Sequence, residues 1–410
     1  MQLGRSDTDL LAILSSEIAK AGATRIGVAV SGGGDSMALL HLATALGERF
    51  RIEAITVDHG LREGSTAEAE FVQKVCSTLN VPHATARWTG WKGEGNLQKR
   101  AREARYSLIS EWAKRRKLHV VLIGHTQDDV AETFLIRLAR EAGVDGLAEM
   151  DARFERHGVT FLRPMLSASR EDLRQFLKRH RRDWREDPSN ENEMFERVRI
   201  RRAIETFEGL GISTESLARV SQNMRDAREV LEADARCLGK ALVTQVQGDL
   251  LIEREGFLFA AKELRRRLLV KALRWVSNAD YAPRRAPVEE LDHAIQEGRN
   301  FSLAGCMITV TKTRIRIARE YNAVRDIVEH SPSWDRWIVD GPWEMGMQVR
   351  PLGEPALAGL ENWRESELPR KSLMSSPSVW KKDVLIAAPL AEPSSSWEAG
   401  LKSPDFLASL

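Results

Sequence analysis

The sequence predicts an α/β protein with a doubly wound, mostly parallel sheet and appended smaller α+β domains. Three observations predict it. Short apolar runs alternate with helical segments over the first half of the chain, a glycine-rich turn follows the first run, and the alternation ends near residue 205. Buried strands separated by helices are typical of βαβ units, in which neighbouring strands run parallel. Functional sites on such sheets lie at the carboxyl ends of the strands.

Four strands are predicted in the first half of the chain, each a short apolar run. They are Ile26–Val30, Ile52–Val57, Pro82–Trp88 and Leu118–Ile123. Apolar residues at helical spacing predict the helices that accompany these strands. They are Met37–Leu46, Leu97–Lys117 and Asp128–Arg140.

Beyond about residue 205 the pattern becomes that of smaller α+β units. A helix over Ser213–Leu238 precedes a predicted hairpin at Leu250–Phe259, which turns at Arg254–Gly256. A basic helix over Ala261–Val276 follows, and Phe301–Ile317 alternates like two short strands. A length of 410 residues suits two or three domains, at roughly 100–200 residues each. We expect domains at residues 1–205, 206–329 and 330–410.

The composition excludes several classes of protein. Hydrophobic residues make up 42% and charged residues 29% of the chain, with a mean hydropathy of −0.35, which excludes a wholly disordered or fibrous chain. No run approaches the ~20 apolar residues of a membrane span, and no secretion signal is visible at the N-terminus. Three cysteines lie far apart without a CxxC pair. We therefore expect a cytoplasmic protein without a disulfide scaffold.

Positive charge is clustered although the net charge is only +2. Between Lys99 and Lys117, eight basic residues face two acidic ones, and further basic runs occupy Lys178–Arg182 and Arg197–Arg202. Any one run is equally consistent with a solvated helix face. Three runs within about a hundred residues favour a polyanionic partner such as a nucleic acid.

The turn Ser31–Ser36, with the sequence SGGGDS, is the strongest local signal of a site. Glycines allow a tight turn and let backbone amides approach phosphate oxygens, and the following helix N-terminus adds unpaired donors. No Gly-Lys-Ser/Thr follows, so the turn is not a Walker A loop. Asp35 beside a phosphate site requires a cation between them, and Mg²⁺ fits that position. The alternative is a glycine-rich turn whose Asp or Ser caps the helix.

This turn resembles the pyrophosphate loop of the N-type ATP pyrophosphatases, or PP-loop proteins. Other segments, in their order and spacing, resemble the tRNA(Ile)-lysidine synthase family in particular. They are Val57–Arg62, Asn96–Leu97, Ala101–Tyr106, Gly124–Asp129, Glu132–Thr133, Arg163–Leu166, Asp187–Asn190 and Arg197. The resemblance is dense over residues 25–205 and thin afterwards. It implies a Rossmann-like PP-loop fold for the first half of the chain.

The resemblance also implies a reaction. ATP adenylates the C2 carbonyl oxygen of the cytidine at the first anticodon position of tRNA(Ile) with a CAU anticodon. The ε-amine of free L-lysine then attacks C2 and AMP leaves, so ATP and Mg²⁺ are the implied cofactors and lysidine, AMP and pyrophosphate the products. The amine must be neutral when it attacks, which requires a nearby base or charge relay. The oligomeric state stays open, a homodimer included.

Residue roles follow from the matched segments and from the charge pattern. The expected catalytic residues are Asp35, Arg105, Asp129, Glu132 and Arg197. The expected ATP-binding residues are Ser31, Gly32, Gly33, Gly34, Asp35, Ser36, Asp58 and His59, with Asp35 also the metal ligand. The expected tRNA-binding residues are Arg102, Arg181, Arg182, Arg201, Arg266 and Lys271.

Asp129 and Glu132 are three residues apart at a helix start and therefore share one face. Together they can hold the lysine ammonium group, steer Mg²⁺ or take a proton, and these alternatives stay open. The structural alternative is an acidic first turn that compensates the helix dipole. His59 and His125 end β-like runs, where a structural role is more common than a catalytic one.

Three residues depart from the family pattern without removing a proposed catalytic group: Val130, Glu141 and Val198. In the C-terminal segment, six tryptophans favour core packing over stacking on tRNA bases. They are Trp334, Trp337, Trp343, Trp363, Trp380 and Trp397.

Two other classes of function remain alternatives. Sulfur-inserting tRNA enzymes need reactive or cluster-binding cysteines, whereas Cys76 lies in a helical stretch away from any motif. A glutamine-dependent amidotransferase needs a further domain, and a ligase that uses free ammonia leaves the basic runs unexplained. A non-catalytic RNA-binding protein predicts loss of Asp35 or of the acidic pair, and both are present.

Overall fold

The structure, a computed structural model, describes residues 5–60, 64–89, 97–148, 150–186, 194, 196–279, 281–393, 396–403 and 405–410. The chain forms two compact units, Met1–Arg228 and Glu229–Leu410. The first unit therefore ends later than the boundary expected at residue 205. The division into three domains stays a prediction. Among the described helices, none combines the length and hydropathy needed to cross a membrane.

A six-stranded sheet forms the centre of the first unit. Its strands are β1 (Arg25–Ala29), β2 (Arg51–Asp58), β3 (His83–Arg87), β4 (Val120–Ile123), β5 (Arg153–Arg156) and β6 (Val159–Leu162). In space the order is β3-β2-β1-β4-β6-β5. The pairs β1–β2, β1–β4, β2–β3 and β4–β6 are parallel, and only β5 runs antiparallel, beside β6. The predicted fold class is confirmed, whereas the β5–β6 hairpin was not predicted.

Nine described helices accompany this sheet, and several of them cover its two faces. They are α1 (Asp7–Ala21), α2 (Gly34–Ala45), α3 (Ser65–Thr78), α4 (Leu97–Arg115), α5 (Gln127–Leu138), α6 (Val144–Leu147), α7 (Arg170–Arg179), α8 (Glu196–Glu208) and α9 (Thr214–Leu242), which continues into the second unit. Strand residues alternate between faces, so Leu122 packs with α1, α2 and α7 while Val121 packs with α4. The sheet is thus the middle of three layers.

Two glycines allow the layers and loops to approach closely. A Cβ atom on Gly27 in β1 would lie 2.8 Å from the ring of Trp112, which packs from α4. A Cβ atom on Gly124, just after β4, would lie 3.1 Å from the backbone of Asp35. The second contact brings the loop after β4 directly against the loop after β1, at the carboxyl edge of the sheet.

The second unit contains three antiparallel sheets. Its strands are β7 (Val243–Val246), β8 (Asp249–Glu253), β9 (Phe301–Leu303), β10 (Cys306–Val310), β11 (Arg314–Arg319), β12 (Ser333–Trp334), β13 (Trp337–Asp340), β14 (Met347–Pro351), β15 (Pro377–Lys381), β16 (Val384–Ala387) and β17 (Glu398–Leu401). Their orders are β7-β8-β11-β10-β9, β12-β13-β17 and β14-β15-β16. The expected α+β character of this half is confirmed.

Helices of four to sixteen residues complete the second unit. They are α10 (Arg254–Phe259), α11 (Lys262–Ser277), α12 (Arg285–Gln296), α13 (Gly353–Ala358), α14 (Arg370–Met374) and α15 (Phe406–Ser409). Four of the tryptophans, Trp334, Trp337, Trp380 and Trp397, are buried. The expectation that this segment uses its aromatic residues for core packing is confirmed for them.

Two local predictions in this unit were wrong. The hairpin predicted over Leu250–Phe259 is a strand followed by a helix, because the Glu253 carboxylate accepts the N–H groups of Glu255 (2.9 Å) and Gly256 (2.5 Å) and so caps α10. The hairpin instead joins β7 to β8. Phe301–Ile317 contains three strands rather than two.

Candidate active site

The phosphate loop, Ser31–Ser36, joins β1 to α2 at the carboxyl edge of the sheet. Gly32 adopts a φ of +93°, which favours glycine, and its carbonyl accepts the Arg185 N–H at 2.9 Å. Ser36 Oγ donates to the Gly33 carbonyl (3.0 Å) and accepts the Ser31 N–H (3.1 Å). These contacts hold the loop in a turn that faces the N-terminus of α2.

The alternative interpretation of this loop, a helix cap, is not what forms. The N-cap residue of α2 is Gly33, and no side chain makes a capping hydrogen bond there. The first-turn amides of a helix lack partners inside the helix and attract anions. The loop therefore presents backbone donors suited to phosphate oxygens, as the sequence predicts.

Arg170, the first residue of α7, lies among four carboxylates of the site. Its Nε is 3.3 Å from Asp35 Oδ2, and its Nη2 is 3.3 Å from Glu132 Oε1 and 3.8 Å from Asp129 Oδ1. Asp128 accepts the backbone N–H of Arg170 at 2.7 Å and lies 4.0 Å from Nη1. Burial opposes the charge of this guanidinium, but the four carboxylates raise its pKa above the usual range.

Arg170 was missed by sequence reasoning, although a signal for its position exists. Ser169 and Asp172 form a capping box, and the Ser-x-x-Asp spacing marks a helix start directly after the β6 region. A cation in the first turn opposes the helix dipole and so calls for nearby anions. The sequence therefore indicates that anions lie near Arg170, but it does not show which residues supply them.

Asp35 is the carboxylate at the phosphate loop, with a side chain 22% exposed. Burial raises the pKa of its carboxyl to about 6 against the opposing charge of Arg170, and the carboxylates of Asp129 and Asp128 add to the rise. The site therefore favours the protonated acid, and a further cation close to Asp35 would stabilise the ionised carboxylate.

Asp129 and Glu132 lie on one face of α5, as predicted, and both are buried. Asp129 Oδ2 accepts the N–H (2.9 Å) and the hydroxyl (3.1 Å) of Thr126, which leaves Oδ1 directed toward Arg170 and toward Arg197 Nη1 at 3.8 Å. Burial alone would raise the pKa of Asp129, but the positive charges of Arg170 and Arg197 and the Thr126 N–H hold it below its usual range.

Glu132 is fully buried, and only one of its two carboxylate oxygens accepts hydrogen bonds from described residues. Oε1 accepts Arg201 Nε at 2.6 Å and Arg170 Nη2 at 3.3 Å. Oε2 has no hydrogen-bond partner among the described residues. A buried carboxylate oxygen without a donor is costly, so this atom is suited to receive one from a bound substrate.

Arg105 and Arg197 bring positive charge to the same region. Arg105 is exposed, and Arg102 and Arg197 lie close enough to repel its positive charge. The side chain of Arg197 is 45% exposed. The five expected catalytic residues therefore lie in one region at the carboxyl edge of the sheet, and their roles stay predictions.

Asp58 and His59 follow β2 at the same edge. The Asp58 carboxylate accepts the Gly60 N–H at 2.9 Å and the Thr66 hydroxyl at 3.3 Å, so it is engaged in shaping its own loop. His59 packs edge-on against Trp88, and its Nδ1 is buried without a hydrogen bond to a described residue. Burial and the nearby Arg105 lower the pKa of His59, which is therefore neutral at pH 7. ATP binding by this pair stays a prediction.

The expected tRNA-binding residues fall into two groups. Arg102, Arg181 and Arg182 are exposed, whereas Arg201 is engaged by Glu132. In the second unit, Arg266 pairs with Glu263 (2.6 Å) and Lys271 pairs with Glu232 (2.7 Å). Contact of these residues with tRNA stays a prediction. Some residues of the matched segments lie outside the described part of the chain: Leu61, Arg62, Asn96 and Asp187–Asn190.

The donor chemistry of the site fits Mg²⁺ that arrives with a nucleotide. Mg²⁺ is usually bound by one or two carboxylates together with substrate phosphates. Asp35 supplies one such carboxylate beside the phosphate loop. Within the described ranges no group of three or more His, Cys, Asp or Glu side chains could hold an ion without the nucleotide.

Comparison with known proteins decides the family. A model of the PP-loop domain matches residues 6–207. The tRNA(Ile)-lysidine synthase of Ruegeria pomeroyi is 42% identical over 98% of this chain and 97% of its own length. The chain belongs to the tRNA(Ile)-lysidine synthase family. The enzyme of that name from Wolbachia pipientis wMel is 32% identical over 76% of this chain and 75% of its own, and that of Rhodopseudomonas palustris is 35% identical over 72% and 90%.

Membership of the tRNA(Ile)-lysidine synthase family confirms three predictions from the sequence: the family, the PP-loop fold and an ATP-using ligase of tRNA. The sulfur-inserting alternative gains no support from the two buried cysteines, Cys76 and Cys306, and Cys237 is exposed on α9, outside the matched segments. Cys76 and Cys306 are buried, and burial raises the pKa of each thiol, to about 11 and about 12, so neither is a reactive thiolate.

Proposed function

We propose that this protein joins free L-lysine to C2 of the cytidine at the first anticodon position of tRNA(Ile) with a CAU anticodon. ATP first adenylates the C2 carbonyl oxygen with release of pyrophosphate. The lysine ε-amine then forms the new C–N bond as AMP leaves. The observation that carries the proposal is the juxtaposition of a phosphate loop with buried carboxylates, one of which has an unengaged oxygen.

The phosphate end of the site supports the first step. The first-turn amides of α2 are oriented to bind the pyrophosphate portion of ATP. Asp35 would hold Mg²⁺, which supplies positive charge to the phosphoryl oxygens. Arg105 and Arg197, close enough to affect each other's electrostatics, are suited to the negative charge that develops at the α-phosphate.

The carboxylate end supports the second step. A lysine ammonium group can donate to Asp129 Oδ1 and Glu132 Oε2, the two oxygens not committed to Thr126 or Arg201. The same carboxylates can accept the proton that the amine must lose before it attacks. Arg170 neutralises part of this negative charge while the substrates are absent.

Replacing Glu132 by glutamine is expected to raise the KM for lysine by about 10–100-fold, because a hydrogen bond to a charged group contributes about 1.5–3 kcal/mol. The affinity for ATP should change less than about threefold, since Glu132 does not touch the phosphate loop. Steady-state lysine transfer and ATP binding measure the two effects. Glu205→Gln, an exposed carboxylate of α8, is the matched control. An unchanged KM for lysine would exclude Glu132 from the amine site.

Binding of tRNA is expected to weaken steeply with salt, because basic side chains displace counterions from phosphates. The slope of log K against log salt should be about −0.7 to −0.9 for each phosphate contact. Arg181→Gln with Arg182→Gln should make that slope shallower, whereas Arg325→Gln, which removes another exposed arginine, should not. Filter binding across a fourfold salt range measures it, and a flat affinity would contradict the proposed tRNA surface.

The direct test of the function is incorporation of labelled lysine into tRNA(Ile) by the full-length protein with ATP and Mg²⁺. We expect label in the tRNA only when all components are present, with one pyrophosphate released for each lysine. The control tRNA is the same sequence with uridine at the first anticodon position. Equal labelling of both tRNAs, or none of either, would contradict the proposal.

A further inference from the structure

His125 and Arg163 form a partly buried contact next to the proposed site. His125 follows β4 and Arg163 follows β6, so these neighbouring parallel strands deliver both side chains to the same edge of the sheet. Arg163 Nε donates to His125 Nδ1 at 2.9 Å, and its Nη1 donates to the Asp151 carbonyl at 2.5 Å. The Arg163 guanidinium also lies 4.1 Å from the ring centroid of Phe154. Three contacts therefore hold Arg163 in place, and it is only 8% exposed.

The direction of the contact determines where the imidazole carries its proton. A guanidinium group has five N–H donors and no acceptor, and it stays protonated in proteins. His125 Nδ1 must therefore present a lone pair to Arg163. A neutral imidazole has one N–H, which is then on Nε2. Protonation of Nδ1 would break the hydrogen bond and place two cations side by side in a buried space.

The charged groups around His125 support the neutral form. Burial lowers its pKa to about 3. Arg163, Arg197 and Arg102 add to that effect, and only Asp129 opposes it. His125 Nε2 makes no hydrogen bond to any residue that the structure describes. The ring thus has one engaged nitrogen and one N–H that is available to a ligand, close to Asp129 and Arg197.

We propose that Arg163 holds His125 as the neutral tautomer protonated on Nε2, and that this N–H donates a hydrogen bond to an oxygen atom of the bound substrates. That oxygen belongs either to the α-phosphate of ATP or to the C2 carbonyl of the cytidine, and both gain negative charge or a new bond during adenylation. Arg163 is then a positioning residue that acts through His125. The identity of the acceptor oxygen rests on the proposed function, whereas the assignment of the tautomer is independent of that function.

A consequence is that His125 does not take the proton of the lysine amine. Its basic nitrogen already accepts from Arg163, and its other nitrogen already carries a proton. A neutral donor of this kind works at any pH at which the enzyme is folded. Proton acceptance is therefore left to the carboxylates Asp129 and Glu132.

The tautomer is tested by nitrogen-15 NMR of the full-length protein, with His125 assigned by comparison with His125→Gln. We expect the proton on Nε2 and no titration of this ring between pH 5.5 and 8.5. In Arg163→Met the pKa of His125 should rise above its wild-type value, because one of the cations that lower it is gone, and both tautomers should be populated. Titration in the wild type, a proton on Nδ1, or no change in Arg163→Met would overturn the proposal. None of these results depends on lysine transfer.

The donor role is tested with two amides of different length. Glutamine at position 125 can place an N–H near the imidazole Nε2 position, whereas asparagine places its amide near Nδ1. We expect His125→Gln to keep kcat for lysine transfer within about tenfold of the wild type and His125→Asn to lose about 100-fold, the usual effect of removing one such donor. The pH profile of His125→Gln should follow that of the wild type.

The two acceptor oxygens are separated by ATP binding in the absence of tRNA. Weaker binding of ATP to His125→Asn than to His125→Gln assigns the α-phosphate, and equal binding with a loss only in transfer assigns the C2 carbonyl. If both variants lose the same amount of kcat and the acidic limb of the pH–rate profile disappears, His125 acts as a base, and the proposal would be overturned. Equal and full activity of both variants would overturn it as well.

Discussion

Asp35→Asn is expected to reduce lysine transfer about a thousandfold or more while the first unit becomes more stable at neutral pH. A metal ion contributes several kcal/mol to phosphoryl chemistry, and each 1.36 kcal/mol corresponds to about tenfold in rate. Without the Asp35 carboxylate, the proposed Mg²⁺ ion would lose its protein ligand at the phosphate loop. Pyrophosphate release in the presence of tRNA and lysine measures the loss.

The stability effect follows from the direction of the Asp35 pKa. Folding raises this pKa from 3.8 to about 6, so the folded state binds the proton more tightly than the unfolded state. The ionised carboxylate therefore destabilises the fold by up to about 3 kcal/mol above pH 6, and this cost disappears as the pH falls toward 4. Asparagine lacks the charge. The unfolding temperature of Asp35→Asn should therefore exceed that of the wild type at pH 7.5 and match it near pH 4.

Asp183→Asn is the matched control for Asp35→Asn, because Asp183 is an exposed aspartate of the same unit. It should change neither turnover nor the pH dependence of unfolding. Near wild-type turnover in Asp35→Asn would show that the assignment of the phosphate loop is wrong. A lower unfolding temperature at pH 7.5 would contradict the electrostatic description of the site.

Arg170→Met is expected to destabilise the first unit by about 3–5 kcal/mol, since removing one partner of a buried ion pair leaves uncompensated charge. Methionine keeps much of the length of the side chain but removes the cation shared by Asp35, Asp129 and Glu132. The pKa of Asp35 should rise further, because Arg170 is the group that opposes its rise. Chemical unfolding at pH 7.5 measures the first effect.

Arg174→Met provides the matched control on the same helix. Arg174 lies one turn later in α7 and pairs with Glu186 at 3.0 Å, where both side chains are partly exposed. Arg174→Met should lower the free energy of unfolding by less than about 1 kcal/mol. Adding Glu132→Gln to Arg170→Met should recover part of the stability, because it removes one of the uncompensated charges. If the losses of unfolding free energy in the two single variants simply add in the double variant, a direct interaction between Arg170 and Glu132 would be contradicted.

The parts of the site that the sequence predicts are those encoded by neighbouring residues. The phosphate loop needs glycines and an acidic residue within Ser31–Ser36, and the pair Asp129 and Glu132 needs only helical spacing. Both appear in the structure where the sequence predicts them. The same holds for β1, β2 and β4 of the first half, whose apolar runs mark them directly.

The parts that the sequence does not predict depend on contacts between distant residues. Arg170 meets Asp35 across 135 positions of chain, and no local pattern records such a pairing. The helix that carries Arg266 and Lys271 reads as basic, but only the fold shows that Glu263 and Glu232 pair with them. Asp58 likewise reads as a ligand at a strand end, although its carboxylate accepts hydrogen bonds from its own loop.

The fate of the α-phosphate of ATP tests the proposed chemistry most directly. The full-length protein is mixed with tRNA(Ile), Mg²⁺ and ATP labelled at the α-phosphate, without lysine, and the tRNA is then isolated. We expect label in the tRNA together with released pyrophosphate, and release of that label as AMP once lysine is added. Label recovered only as AMP or ADP before lysine is added, with none in the tRNA, would contradict an adenylated cytidine intermediate.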